Sequence, residues 1–209
     1  MKPNHAPSTL NQDSLIEGVS YLCEVDPDLA KVISDLGNPP LWSREPGFPT
    51  LIHIILEQQV SLASARAAFD KLVRASGQLT PERFLEYTDS NLKEFGFSRQ
   101  KTRYGHELSK AILNGQLDLD GLQRLDDSSA RDELIKIKGI GPWTADIYLL
   151  MALLRPDIWP RGDLALIKAA MEIKGLSEKP TTEALLEIAE NWKPWRAVAA
   201  RIAWHYYLR

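Results

Sequence analysis

The sequence predicts an all-α protein, a two-lobed helical bundle with a cleft between the lobes. Three observations predict it. Apolar residues recur at three- and four-residue spacing along most of the chain. No period-two strand is present, and no Asn-Gly or Asp-Gly turn joins two apolar runs. Proline, glycine and short hydroxyl or acidic residues fall where helices start and stop.

In chain order, residues 1–10 read as a loose tail. Helices are expected over 14–25 and 27–36, and Gly37-Asn38-Pro39-Pro40 breaks the second. Pro49 suits an early helical position. The nearly continuous run Leu51, Ile52, Ile54, Ile55, Leu56 then requires a buried helix, ending in Glu57-Gln58-Gln59. An amphipathic helix follows over 61–75. Thr80-Pro81-Glu82 starts another, with a hydroxyl cap, a fixed φ and an early acid. Ser98 opens a helix that Asn114-Gly115 closes. Ser128 or Ser129 caps a helix through 137, and a second runs over 143–154. A loop over 155–162 leads to helices over 163–173, 182–191 and 195–207.

Hydrophobic residues are 44% and charged residues 25% of the 209, the balance of an ordinary globular chain. No apolar run approaches the roughly 18 residues of a membrane span. The polar start Met1-Lys2-Pro3-Asn4-His5-Ala6-Pro7 has no apolar core, so no secretion signal is expected. Cys23 stands alone, which excludes an internal disulfide. An intracellular setting, cytoplasmic or nuclear, is the expectation. The net charge of -3 argues mildly against nucleic-acid binding. A face that meets phosphates through backbone N–H groups, however, needs no global excess of cations.

The most informative stretch is Leu134-Ile135-Lys136-Ile137-Lys138-Gly139-Ile140-Gly141-Pro142-Trp143-Thr144-Ala145, a helix, a Gly-x-Gly turn and a helix. The glycines permit positive φ and close approach of another molecule to bare backbone. The N–H groups at the second helix's positive end bind a phosphate without side-chain charge, and Lys136 and Lys138 add positive potential. Equally, the pattern suits a plain αα-hairpin whose glycines only make the turn tight.

Three further stretches stand in order around it: Ile55-Leu56-Glu57-Gln58-Gln59-Val60-Ser61, Trp159-Pro160-Arg161-Gly162-Asp163-Leu164-Ala165-Leu166, and Trp192-Lys193-Pro194-Trp195-Arg196. Asp163 lies 22 residues after Gly141, room for one helix and a loop. Together the four stretches, spanning roughly 48–209, resemble the helix-hairpin-helix DNA repair glycosylases, and among them the 3-methyladenine glycosylase II branch. The resemblance implies a monofunctional hydrolase that flips an alkylated purine out of duplex DNA and cleaves its N-glycosidic bond in base-excision repair. Larger members of that branch begin with a β-sheet domain, and no strands are read here.

The chemistry asks for a carboxylate. Breaking the base–sugar bond builds an oxocarbenium-like charge that a carboxylate stabilises while it orients or deprotonates water. Asp163 is the candidate, although the same position suits an N-cap aspartate. In the family's lyases a lysine stands where this chain has Trp143, so no Schiff-base amine is expected. Trp143 and Trp204 are candidate walls of a base pocket, since aromatic faces receive an extruded base and attract a cationic one. Either is also suited to core packing, as Trp42, Trp159, Trp192 and Trp195 are expected to be.

Gln59 occupies the wedge position of the resemblance, or is a polar turn residue. Gln58, Ser61, Lys138, Gly139, Gly141 and Thr144 are the other candidates to meet DNA. Lys168 and Arg161 are possible phosphate contacts. The resemblance also implies a monovalent cation, Na⁺ or K⁺, on the carbonyls of Ile135, Ile137 and Gly139. No other cofactor is expected. The partner is double-stranded DNA with a damaged base, met by a monomer, with no membrane. Lobes are expected from N-terminal helices over 1–42 packing with a C-terminal segment over 156–209, and from 43–155 carrying the hairpin. The alternatives are a non-catalytic helix-hairpin-helix DNA-binding protein and an all-α interaction protein without nucleic acid.

Overall fold

A computed structural model describes residue 6 and residues 8–209, and the polar stretch over 1–5 and 7 lies outside the described residues. Among them are twelve α-helices, one 3-10 turn and no strand. The chain divides into two units, Met1–Ser43 with Leu153–Arg209, and Arg44–Ala152.

The first unit holds α1 (Gln12–Val25), α2 (Pro27–Leu36), α10 (Leu164–Ile173), α11 (Thr182–Glu190) and α12 (Arg196–Tyr207). Its centre is α12, where Ala197, Val198, Ala199, Ala200, Ile202 and Ala203 are all buried. Small side chains let neighbouring helices approach closely, and α10, α2 and α1 all pack on it. Gly18 of α1 makes the same allowance. A Cβ there would stand 2.7 Å from Trp195 and 2.8 Å from Val198. The tail ends sooner than expected, because Leu10 is buried and its N–H bonds the Leu154 carbonyl at 2.7 Å.

Charge is also buried in this unit. Arg201 is fully enclosed, its Nε donating to the Leu41 carbonyl at 2.6 Å and its Nη1 to that of Ala197 at 3.0 Å. Burial lowers its pKa to about 9, which leaves it charged at neutral pH. Asp26 caps α2 through the N–H groups of Asp28 and Leu29. It also receives Lys174 Nζ at 2.6 and 2.7 Å and Trp192 Nε1 at 2.7 Å. Lys174 is the C-cap of α10, so this ion pair ties the two helices.

The second unit comprises α3 (Phe48–Glu57), α4 (Leu62–Ser76), α5 (Pro81–Glu86), α6 (Asp89–Phe95), α7 (Arg99–Leu113), the 3-10 turn Gly121–Arg124, α8 (Asp127–Ile135) and α9 (Pro142–Met151). The apolar run of α3 is its core. Leu51, Ile52, Ile54 and Ile55 are wholly buried, with α4, α7 and α9 around them. Tyr148 of α9 accepts the Gly47 N–H at 2.9 Å, and Lys101 of α7 donates to the Leu56 carbonyl at 2.7 Å, so both ends of α3 are held.

Most boundaries fall within two residues of expectation, and three of the differences have a visible cause. α8 begins after Asp126, whose carboxylate accepts the Ser129 N–H, so the cap is the acid and not Ser128 or Ser129. It ends at Ile135, two residues early, because Lys136 and Ile137 already belong to the turn. α9 stops at Met151 and not at 154, since Leu154 has φ +53, which no α-helix accommodates.

Candidate active site

Asp163 is the N-cap of α10. Its Oδ1 accepts the Leu166 N–H at 2.9 Å, the bond that fixes the first turn of the helix. The same oxygen accepts Trp204 Nε1 at 3.3 Å, a link from α12 that local sequence does not reveal. Asp163 is 9% exposed and Trp204 8%, so the pair is recessed. Asp163 thus stands at the positive end of the α10 dipole. Capping and catalysis are therefore compatible roles of one residue. Trp159, Trp192 and Trp195 are buried, whereas Trp42 is partly exposed and holds φ +47.

The hairpin lies wholly in the other unit. Arg131 Nε meets Asp146 Oδ1 at 2.6 Å and clamps α8 to α9, with Asp146 fully buried. The turn is closed by the Ile137 N–H to the Leu134 carbonyl and the Ile140 N–H to the Ile137 carbonyl. Gly139 has φ +100, and a Cβ there would lie 2.2 Å from Cγ of Tyr104. Both facts demand glycine. Gly141 is different, because its φ is -92 and an added Cβ would meet nothing within 4 Å. Packing inside the chain leaves the space over Gly141 open, and Gly141 supplies no side-chain cap to α9. Nine other helices among the described residues do have a side-chain cap.

Gln58, the C-cap of α3, donates Nε2 to the Gly139 carbonyl and to Thr144 Oγ1, both at 2.9 Å. It therefore holds the turn against α3. Thr144 is 2% exposed, so its hydroxyl faces Gln58 inside the unit and does not reach a surface, contrary to its expected place among DNA contacts. Gln59 follows with φ +57 and an exposed side chain. That conformation costs a non-glycine residue about 1 kcal/mol or more. Ser61 caps α4 through the Ser64 N–H. Lys138 is exposed, while Lys136 pairs with Glu133 at 2.6 Å. Trp143 is partly exposed. Of the three carbonyls expected to hold a cation, those of Ile137 and Gly139 each already accept one hydrogen bond and keep a second lone pair.

The sequence pattern of the HhH-GPD superfamily base excision DNA repair proteins matches residues 52–194, which includes the hairpin and Asp163. The chain belongs to that superfamily. Schizosaccharomyces pombe 3-methyladenine DNA glycosylase (Mag1), solved in complex with abasic DNA, has the same fold. The TM-score is 0.85 at 27% identity, over 90% of this chain and 95% of that one. DNA-3-methyladenine glycosidase from Bacillus halodurans gives 0.74 at 26% identity, over 91% and 87%. By sequence, the chain is 30% identical over 169 residues, 75% of its length, to the DNA-3-methyladenine glycosylase of Bacillus subtilis. It spans 56% of that protein and 64% of a second Bacillus subtilis relative. No helix among the described residues is long and apolar enough to cross a membrane.

Proposed function

We propose that this protein is a monofunctional DNA glycosylase that releases alkylated purines, of the 3-methyladenine and 7-methylguanine type, from duplex DNA. The observation that carries the reading is the Asp163 carboxylate, set at the start of α10 and held by Leu166 N–H and Trp204 Nε1. Membership of the superfamily and the names of the relatives support it.

In the reaction the extruded base leaves with the C1′–N9 or equivalent electron pair. That pair neutralises the formal charge of an alkylated purine, so no strong general acid is needed. Asp163 stabilises the cationic sugar and orients water, whose oxygen bonds to C1′ and whose proton the carboxylate accepts. Trp204, from its seat against Asp163, contributes aromatic surface to the base site. With tryptophan at position 143, no amine attacks the sugar and the strand stays uncut. Gln59, exposed and in the left-handed region, fills the vacated stack. The open space over Gly141 and the start of α9 receive a phosphate. A monovalent cation would be held by the remaining lone pairs of Ile137 and Gly139 with the Ile135 carbonyl, and would supply positive charge to the turn. The protein acts as a monomer.

The test is release of free base from duplexes that each carry one lesion. The expected result is free 3-methyladenine or 7-methylguanine and a strand that breaks only after alkali. Duplex binding without release would instead select a non-catalytic helix-hairpin-helix protein.

A further inference from the structure

We propose that an exposed strip made of Leu164 and Lys168 of α10 and Tyr207 of α12 docks the DNA strand that carries the extruded nucleotide, with Lys168 meeting a backbone phosphate. The inference rests on the glycosylase reading above. α10 and α12 advance together. Asp163 bonds Trp204 at 3.3 Å, Lys168 Nζ stands 5.6 Å from the centre of the Tyr207 ring, and Glu172 Oε2 is 3.6 Å from Arg209 Nη2. A surface that begins at the reactive carboxylate therefore continues along both helices.

Leu164 and Lys168, four residues apart, share one helix face. Leu164 is 73% exposed and Tyr207 43%, the large apolar surface that water disfavours and a sugar edge covers. Among the described residues Lys168 is in no ion pair, whereas Lys136, Lys174 and Lys193 each hold a carboxylate. Its ammonium is thus available to a phosphate and is steadied by the Tyr207 ring. Five residues of helix separate it from Asp163, about 7.5 Å. Apolar side chains beside a lone cation match the sugar–phosphate pattern of one strand.

The test measures binding to a duplex with a stable abasic-site analogue across a salt series. Lys168→Ala weakens binding several-fold and lowers the slope of log affinity against log salt by about 0.9, one phosphate's worth. Lys168→Arg restores the slope, and Leu164→Ala weakens binding without changing it. Lys31→Ala, on an exposed face of α2, leaves both unchanged. A neutral methylphosphonate moved through the damaged strand around the lesion weakens the wild type at one position and leaves Lys168→Ala unaffected there. An unchanged slope for Lys168→Ala, an equal drop for Lys31→Ala, or sensitivity confined to the opposite strand overturns the proposal. If the wild type releases base while Lys168→Ala binds normally, only the strip is lost. If the wild type neither binds nor releases, the glycosylase reading fails and the strip fails with it.

Discussion

The indole N–H of Trp204 lies 3.3 Å from Oδ1 of Asp163, the oxygen that also accepts the Leu166 N–H. Two donors from two elements, α12 and the first turn of α10, therefore hold one carboxylate. A hydrogen bond to a charged acceptor contributes about 1.5–3 kcal/mol. Trp204→Phe keeps an aromatic ring and removes the donor. It is expected to slow single-turnover base release about 10- to 100-fold, and to lower the melting temperature by only a few degrees. Rapid-quench kinetics on a single-lesion duplex, with circular dichroism melts, check both.

The two glycines of the hairpin are expected to fail differently. Gly139→Ala forces a Cβ into Tyr104 and a side chain onto φ +100. It should destabilise the protein by about 2–4 kcal/mol in urea unfolding. Gly141→Ala meets open space and should cost about 1 kcal/mol or less as a poorer cap. Its effect should appear in duplex affinity, as a loss of tenfold or more by fluorescence anisotropy. If Gly141→Ala bound DNA like the wild type, close backbone approach at the turn would be excluded.

Asp26 and Lys174 give the first unit a pH signature. Burial pushes the Asp26 carboxyl up, but the hydrogen bonds from Lys174 and Trp192 and the charge of Lys174 outweigh it, and its pKa is lowered. Burial pushes Lys174 down, and Asp26 and Asp28 more than reverse it, so its pKa is raised. A lowered acid stabilises above its unfolded pKa of about 3.9, and that stability is lost as pH falls through the folded value. A raised lysine stabilises below about 10.4, and that stability is lost as pH rises through its folded value. Stability should therefore be flat between these limits and fall outside them. Asp26→Asn keeps a capping side chain and removes the charge. Urea midpoints from pH 2 to 7 should show a flatter acid limb and a loss of about 1–3 kcal/mol at neutral pH.

Much of the frame was legible because its signals are local. The run over 51–56 required a buried helix, and Leu51 to Ile55 form the centre of the second unit. The Gly-x-Gly turn and the cap at Asp163 each reside in a few consecutive residues, and both stand where they were expected. Short α6 and the 3-10 turn were missed, since neither is long enough to show a period. What holds the candidate site was not legible. Gln58 reaches Gly139 across 81 residues, Trp204 reaches Asp163 across 41, and Lys174 reaches Asp26 across 148. No window of sequence contains both partners. Glutamine before a turn and tryptophan in a terminal helix carry no mark of their partners. Asp146 did carry one. A charged residue in the otherwise apolar α9 needs a counter-ion, and Arg131 supplies it.

The most direct measurement is Asp163→Asn in single-turnover release of 7-methylguanine from a duplex, read beside its melting temperature and duplex affinity. Asparagine caps a helix about as well as aspartate, so folding and binding should stay near wild type. The rate should fall at least about 100-fold, because no charge then faces the cationic sugar. A variant that releases base within twofold of the wild-type rate would contradict the assignment of Asp163 as the catalytic carboxylate.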